Sequence, residues 1–377
     1  MKLFRIWAIS RKEFLHILRD PRSLGMAIAI PMLLLLLFGY ALSLDVDNVP
    51  TVVWDQSSSQ ESREFISWLE GSRYFGVQKY VTSYPEIEEA LDSGSALIAI
   101  VIPERFAGRI ESGRSAPVQA LVDGSDPNAA TIAIGYLDVV AFGYSREVVL
   151  REIRRTTGQT VHPPVDLRAR VWFNADLESK NYIIPGLIAV IMMVIAALLT
   201  SLTVAREWEQ GTMEQLIATP VKGPELILGK LIPYFVIGLL DVGLAVLMGE
   251  FLFGVPLRGN VALLFAMAAI FLTGALSLGM VISIVTKSQL LASLLAMVLT
   301  FLPSFLLSGF MYAIANMPLG VQLITYLVPA RYFVTMLKGI YLKDIGLGVL
   351  ALEASLLILF SAALVIFAMV RFKKRLE

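Results

Sequence analysis

Three sets of residues have the types and spacing that chemistry would need. The first is Gly223-Pro224-Glu225-Leu226-Ile227-Leu228-Gly229-Lys230-Leu231, which approaches a nucleotide-phosphate loop. Such a loop needs four residues between its glycines, and a Ser or Thr after the lysine to reach magnesium. Here five intervene and Leu231 follows the lysine. The string therefore reads as structural, and the chain as unable to hydrolyse ATP alone. The second set is a pair of acids, Asp241 and Glu353, each inside a long apolar stretch. An ionised acid at mid-bilayer costs about 2.5–3.5 kcal/mol or more, so each needs a cavity, a partner or a proton. They are candidates for a transport path. The milder alternative has Asp241 neutral and bonded to a neighbouring Ser or Thr, and Glu353 reaching the membrane surface. The third set is Glu207, Glu209 and Glu214, an acidic patch between two apolar stretches, with Trp208 as an anchor at headgroup level. These acids either meet basic residues of another protein or keep a loop solvated.

Other chemistry is excluded. The chain has 377 residues and no cysteine, so it has no disulfide framework, thiolate metal site or cysteine nucleophile. Its two histidines, His16 and His162, are far apart and form no ligand pattern. The formal net charge is +0, which gives no case for a nucleic-acid partner.

The elements that must position these residues are mostly apolar. The composition is 56% hydrophobic and 16% charged, against about 25% charged in soluble domains. This predicts an α-helical membrane protein with one polar insert. Residues 1–22 form an amphipathic interface helix. Its apolar side carries Leu3, Phe4, Ile6, Trp7, Phe14, Leu15, Ile17 and Leu18, and its polar side Lys2, Arg5, Lys12, Glu13, His16 and Arg19. The first span is 23–44. It is preceded by Lys2, Arg5, Arg11, Lys12, Arg19 and Arg22, which places the N-terminus in the cytoplasm. The apolar run is too long for a cleaved signal.

Residues 45–178 then lie outside. Their alternating strands and helices predict a small α/β domain. Strands are expected at 51–54, 77–81, 96–102 and 118–122, and helices at 59–69 and 85–91. A long helix opens at Asp126-Pro127, and an extended segment at 168–173 leads back to the membrane. The stretch 96–102 is apolar throughout, as in a strand buried on both faces. Asp123, Asp126 and Asp138 read as turn, cap and surface residues.

The remainder, 179–377, holds spans two to six, at about 181–205, 226–253, 259–286, 288–311 and 345–370. The fourth is rich in Ala, Gly and Ser, which suits close helix contact. A non-spanning re-entrant segment is expected at about 318–341, because Pro329, Arg331 and Lys338 argue against a crossing. Six crossings put both termini inside, and the basic end Arg371-Phe372-Lys373-Lys374-Arg375 agrees.

Between the second and third spans, a short helix is predicted at about 212–219. Thr212 is its expected N-cap and Gln215 completes a capping box. Glu214 suits the first turn, Pro220 stops the helix and Pro224 opens the next. Met213, Leu216 and Ile217 share an apolar face that is buried either in another protein or at the membrane surface.

The string Arg206-Glu207-…-Gly211-Thr212-Met213-Glu214-Gln215-Leu216-…-Thr219-Pro220 resembles the cytoplasmic loop of type-2 ABC-transporter permeases, the exporter class. So does the opening Arg11-Lys12-Glu13-Phe14-…-Leu18-Arg19-Asp20-Pro21. The resemblance extends over nearly the whole chain in order and spacing of spans. In that family the loop after the second span carries a coupling helix that docks on a separate ATPase subunit. The resemblance implies that Glu207, Gly211, Thr212, Met213, Glu214, Leu216, Ile217 and Pro220 serve that coupling. It also implies ATP and magnesium on the partner rather than on this chain, and a second permease, identical or sister. A periplasmic adaptor is a further candidate partner, and the setting is the bacterial inner membrane. The cargo would be a drug-like amphiphile, a lipid-linked molecule or a polymer. Two rivals need no ATPase: an ion-coupled secondary transporter using Asp241 and Glu353, and a membrane protein that transmits force without moving cargo.

Overall fold

A computed structural model describes residues 2–42, 48–158, 170, 172–174 and 178–372. Within them, the side chains of 21–23, 26, 157 and 217 are left undescribed. The chain divides into two units, Met1–Ser43 with Arg170–Glu377, and Leu44–Ala169.

The smaller unit is a four-stranded sheet with helices on both faces. Its elements run β1 (Val49–Asp55), α3 (Gln60–Glu70), β2 (Phe75–Tyr80), α4 (Tyr84–Asp92), β3 (Ile98–Ile102), α5 (Phe106–Glu111), β4 (Gln119–Val122) and α6 (Pro127–Thr157). The strand order is β2-β1-β3-β4. β1 pairs in parallel with β2 and β3, and β4 runs antiparallel to β3. β3 is buried along its whole length. Its Ile98, Ile100 and Ile102 point to a core shared with Phe65, Leu69, Phe106 and Tyr144, while Ala99 and Val101 face Ile87 of α4 on the other side. The period of two thus feeds two cores from one strand. Local signals set the helix starts. Ser59 caps α3 in a reciprocal box with Ser62, and the Asp126 carboxylate accepts the N–H groups of Asn128 and Ala129 at the start of α6. Asp123 accepts from the Ser125 N–H in a turn. The expected extended segment at 168–173 and His162 fall largely or wholly outside the described residues.

The larger unit is helical: α1 (Leu3–Arg19), α2 (Pro21–Ala41), α7 (Ser179–Glu209), α8 (Thr212–Ala218), α9 (Gly223–Leu247), α10 (Val261–Thr286), α11 (Gln289–Leu307), α12 (Leu319–Thr325), α13 (Pro329–Lys343) and α14 (Leu347–Arg371). A π turn, Met248–Leu252, prolongs α9. Five of the described helices are long and apolar enough to cross a membrane: α7, α9 with its π turn, α10, α11 and α14. α2 contributes a shorter apolar stretch, Ala27–Ala41.

α7 is the hub, buried at nearly every position from Ile183 to Ala197. α10 lies against it so closely that a Cβ on Gly279 would fall 2.1 Å from the Ala197 carbonyl oxygen. Small and hydroxyl side chains hold the two together. The Thr200 hydroxyl donates to the Leu276 carbonyl at 2.8 Å, and the Ser283 oxygen accepts the N–H groups of Val204 and Ala205. On its other side α10 meets α14, where the Ser361 hydroxyl donates to the Ile270 carbonyl. Close backbones and interhelical hydrogen bonds are what bind helices where water supplies no hydrophobic drive. The stretch expected to dip without crossing is two helices, of 7 residues in α12 and 15 in α13. At about 1.5 Å per residue neither spans a core of about 30 Å. Lys338 of α13 is held by the Tyr182 ring, 3.3 Å from its centroid, and by the Gly309 carbonyl at 3.0 Å.

Candidate functional site

The candidate site lies where α1, the end of α7, α8 and the start of α9 meet. α7 does not stop where its apolar run ends. Arg206, Glu207, Trp208 and Glu209 continue the helix, so these acids sit on the last turn of a rod rather than in a loop. The Glu209 carboxylate accepts the backbone and side-chain N–H groups of Gln289, which fixes the start of α11. Lys287 lies over the Trp208 ring, 4.6 Å from its centroid.

The chain then reverses through Gln210 and Gly211. Gly211 has φ +71, a conformation that favours glycine. Gly211 thus takes the N-cap position and Thr212 becomes the first helical residue. This corrects the expected cap. The Thr212 hydroxyl donates to the Glu207 carbonyl at 3.4 Å instead of capping α8, and α8 has no side-chain cap. The return into α9 is tied by Glu225, which accepts the N–H groups of Lys222 and Lys2 and lies 3.5 Å from the Arg5 guanidinium. Arg5 also donates to the Pro220 carbonyl.

α1 crosses α9 at Gly229. A Cβ there would sit 2.7 Å from the Ile9 Cβ, so only glycine allows this approach. The Ser10 hydroxyl donates to the Gly229 carbonyl at 2.9 Å. The next residue, Lys230, is 1% exposed. Its ammonium lies 2.9 Å from Glu207 Oε1 and 3.5 Å from Glu13 Oε1. Lys12 approaches Glu207 at 3.7 Å from the solvent side, and the Tyr234 hydroxyl donates to Glu13 at 3.4 Å. The Gly-Lys pair that approaches a phosphate loop is therefore an internal tie between three helices.

Beside this tie is a cavity of about 390 Å³. Ile17, Ala27, Leu199, Leu202 and Ile237 form its apolar wall. Glu13, His16, Arg206, Glu207, Gln210 and Lys230 form its polar wall, and Thr212, Gln215, Leu216 and Thr219 bring in the α8 segment. Glu207 Oε2 is buried and has no hydrogen-bond partner among the described residues.

The expected coupling residues divide sharply. Gly211, Glu214 and Pro220 are exposed, as are Gln215 and Ala218. Glu207 and Met213 are buried, at 8% and 1% exposure, and Thr212 and Leu216 are half-buried. The side chain of Ile217 lies outside the described residues. Met213 and Leu216 pack into this chain's own core with Leu226 and Phe372. Met213 is thus engaged within this chain, and the Glu207 carboxylate lies 2.9 Å from the Lys230 ammonium. α8 lies against the base of α7 and α9, which supply the apolar surface around Met213.

Asp241 and Glu353 are on α9 and α14 and take no part in this cluster. Asp241 is 1% exposed and its Oδ1 accepts no hydrogen bond, so the neighbouring Ser or Thr considered for it is not engaged by that atom. Glu353 is half-buried. The sequence reading missed Glu13, Lys230 and Tyr234. It placed Glu13 on the solvated side of α1, whereas Ile6, Ser10, Glu13 and Ile17 form the stripe that is buried. The available signal was that spacing, i, i+4, i+7, i+11, which is one helix face despite its mixed polarity.

Comparison with known proteins places this architecture. The model of the ABC-2 family transporter protein matches residues 21–370. The chain is 37% identical over 374 residues to the Escherichia coli (strain K12) protein named "Probable multidrug ABC transporter permease YbhS", covering 99% of this chain and 98% of that one. It is 29% identical over 345 residues to the permease YbhR of the same organism, covering 92% of each. A more distant relative is ABC transporter G family member 20 of Dictyostelium discoideum, 22% identical over 347 residues, which are 90% of this chain and 46% of that protein. A family match over most of the chain, with a relative aligned end to end, leads to one conclusion: this chain belongs to the ABC-2 transporter family and carries its permease domain.

Proposed function

We propose that this chain is the membrane-spanning subunit of an ATP-driven exporter, energised by a separate ATPase that docks on α8. The observation that carries the reading is the two-sided character of that helix. Met213 and Leu216 root it in the core formed by the spanning helices, while Glu214, Gln215 and Ala218 remain open on the opposite side. A handle of this kind moves the spans when it is moved. In this reading α2 is the first of six crossings, both termini are cytoplasmic, α12 and α13 dip without crossing, and the sheet unit lies outside. Two permeases, identical or sister, work with two ATPase subunits. The relative named as a multidrug permease favours a drug-like amphiphile as cargo. ATP and magnesium belong to the partner.

The test is co-purification with a co-expressed ABC ATPase subunit. Glu214→Arg combined with Ala218→Arg places two bulky cations on the open face and leaves the rooted face intact. The expected result is loss of the ATPase from a permease that still folds. Undiminished ATPase binding overturns the docking assignment. A second reading, ion-coupled transport, is favoured by the buried Asp241, whose Oδ1 has no hydrogen-bond partner among the described residues. Transport in vesicles driven by an ion gradient without ATP, and abolished by Asp241→Asn, would select it.

A further inference from the structure

We propose that α6 is the surface through which the sheet unit meets a second copy of this chain, the two helices crossing antiparallel about Phe142. The setting, two identical permeases in one complex, rests on the function proposed above. The surface is argued from the sheet unit alone.

A helix lying on a sheet buries one stripe and turns polar residues to water on the other side. The inner stripe of α6 follows this rule: Ala133, Val140 and Tyr144 are buried in one core with Phe65 and Ile100. The outer face departs from it. Phe142 is 73% exposed and Val139 66%, and Ile134 and Val149 are exposed beside them. At about 100° per residue these four share one side of the helix. Gly135 and Ser145 lie among them, both exposed. Apolar side chains gathered in this way mark an interaction surface, whereas single exposed ones do not.

The charges name the occupant. Asp138 and Arg146 stand four residues to either side of Phe142. Both are exposed, and neither forms an ion pair among the described residues. Positions four apart make a ridge on a helix, and the commonest helix crossing lays the ridges of two helices side by side. Where the ridges are copies related by a two-fold axis, they run in opposite directions, and each residue meets the one equally far beyond the centre. A ridge centred on Phe142 therefore sets the two Phe142 rings together. It sets Asp138 against Arg146 of the partner subunit, and Ile134 against Leu150 of the partner subunit, each pair formed twice. An acid within the stripe does not suit a lipid surface, where the charges beside apolar residues are Lys and Arg. It suits a self-complementary ridge. One helix pair is small beside the about 1,200–2,000 Å² of a standard interface. The contact therefore counts where the two chains are already held in one complex and their effective concentration is high.

The chain has no cysteine, so an introduced one reports alone. The full chain carrying Phe142→Cys is oxidised in membranes with copper phenanthroline, and cross-linked dimer is read on a non-reducing gel. The expected yield is at least fivefold above that of Glu147→Cys, which is exposed on the flank of the same helix. Adding Asp138→Arg should cut the yield at least threefold, because it sets like charges together. Adding Arg146→Asp as well should restore it. That rescue requires two chains, because positions 138 and 146 are about 12 Å apart along one helix. If loss of the ring itself loosens the contact, Asp138→Cys with Arg146→Cys, joined by a short bismaleimide, keeps Phe142 and carries the test. Yields no higher than the flank control with both reporters, absence of rescue by the charge exchange, or cross-linking only to a different chain overturns the proposal. No ATPase takes part, so such a failure leaves the docking assignment standing. Loss of docking with the cross-link intact would overturn only the permease reading.

Discussion

The two units of this protein obey the same physics with opposite signs. In the sheet unit, buried polar side chains among the described residues are limited to Thr51 and Ser62, and the core is Ile, Val, Leu and Phe. Its ion pairs are on the outside: Arg151 and Glu64, 2.8 Å apart, keep 51% and 32% of their side chains accessible. In the helical unit, Leu and Val side chains of α11 and α14 are exposed, while Glu13, Glu207, Lys230, Asp241 and Ser283 are buried. Helix packing there depends on glycines and hydroxyls, as at Gly279 and Thr200. The difference shows which solvent each unit was selected against. Facing water, charge belongs outside. Facing hydrocarbon, apolar side chains cost nothing at the surface, and polar groups become the internal fasteners.

The sharpest way to break this comparison is to remove one charge from each unit. Lys230→Leu leaves two carboxylates buried without their cation and should cost about 3–5 kcal/mol. Arg151→Ala removes an exposed partner and should cost about 0.2–1 kcal/mol. The midpoints of thermal unfolding in detergent would read both, and equal shifts would refute the inversion. A smaller effect is expected from glycine. Gly279→Val forces α10 away from the Ala197 carbonyl and should cost about 1–3 kcal/mol. Gly135→Ala in the middle of α6 has nothing within 4 Å and should stabilise by about 0.5–1 kcal/mol. A neutral Gly279→Val would mean that the close approach of α7 and α10 is not needed. A single-cap effect sharpens the sheet unit alone. Ser59→Ala removes one half of a capping box and should cost about 1 kcal/mol, read by the same melts.

Much of this architecture was legible in the sequence, for identifiable reasons. The continuous apolar run at Ile98–Ile102, the helical pattern from Ser59 and the cap at Asp126 are local signals, and the sheet unit's elements fall close to where those signals place them. Only α5 escaped, a turn and a half of helix with no cap. Uncharged length located the long apolar helices for the same reason. The site was less legible because it is made by tertiary contact. Polarity puts Glu13 on the solvated side of α1 and leaves Lys230 inside the third expected span with no partner. Nothing within α1 or α9 alone reveals that Gly229 lets the two cross, and that the crossing brings a lysine to two acids. The Thr212 cap failed for a related reason: the sharp reversal at Gly211 decides the geometry before the side chain can.

From Gly186 to Glu209, α7 contains no proline and remains helical to its last charged turn. Its 31 residues make a rod of about 46 Å at 1.5 Å per residue. One end bears Tyr182, clasped by Lys338, and the other leads within two residues to α8. Under the proposed function, a tilt imposed at α8 would be carried along this rod and reappear at its opposite end as a sideways swing against α13, which would make α12 and α13 the output stage of a lever whose input is α8.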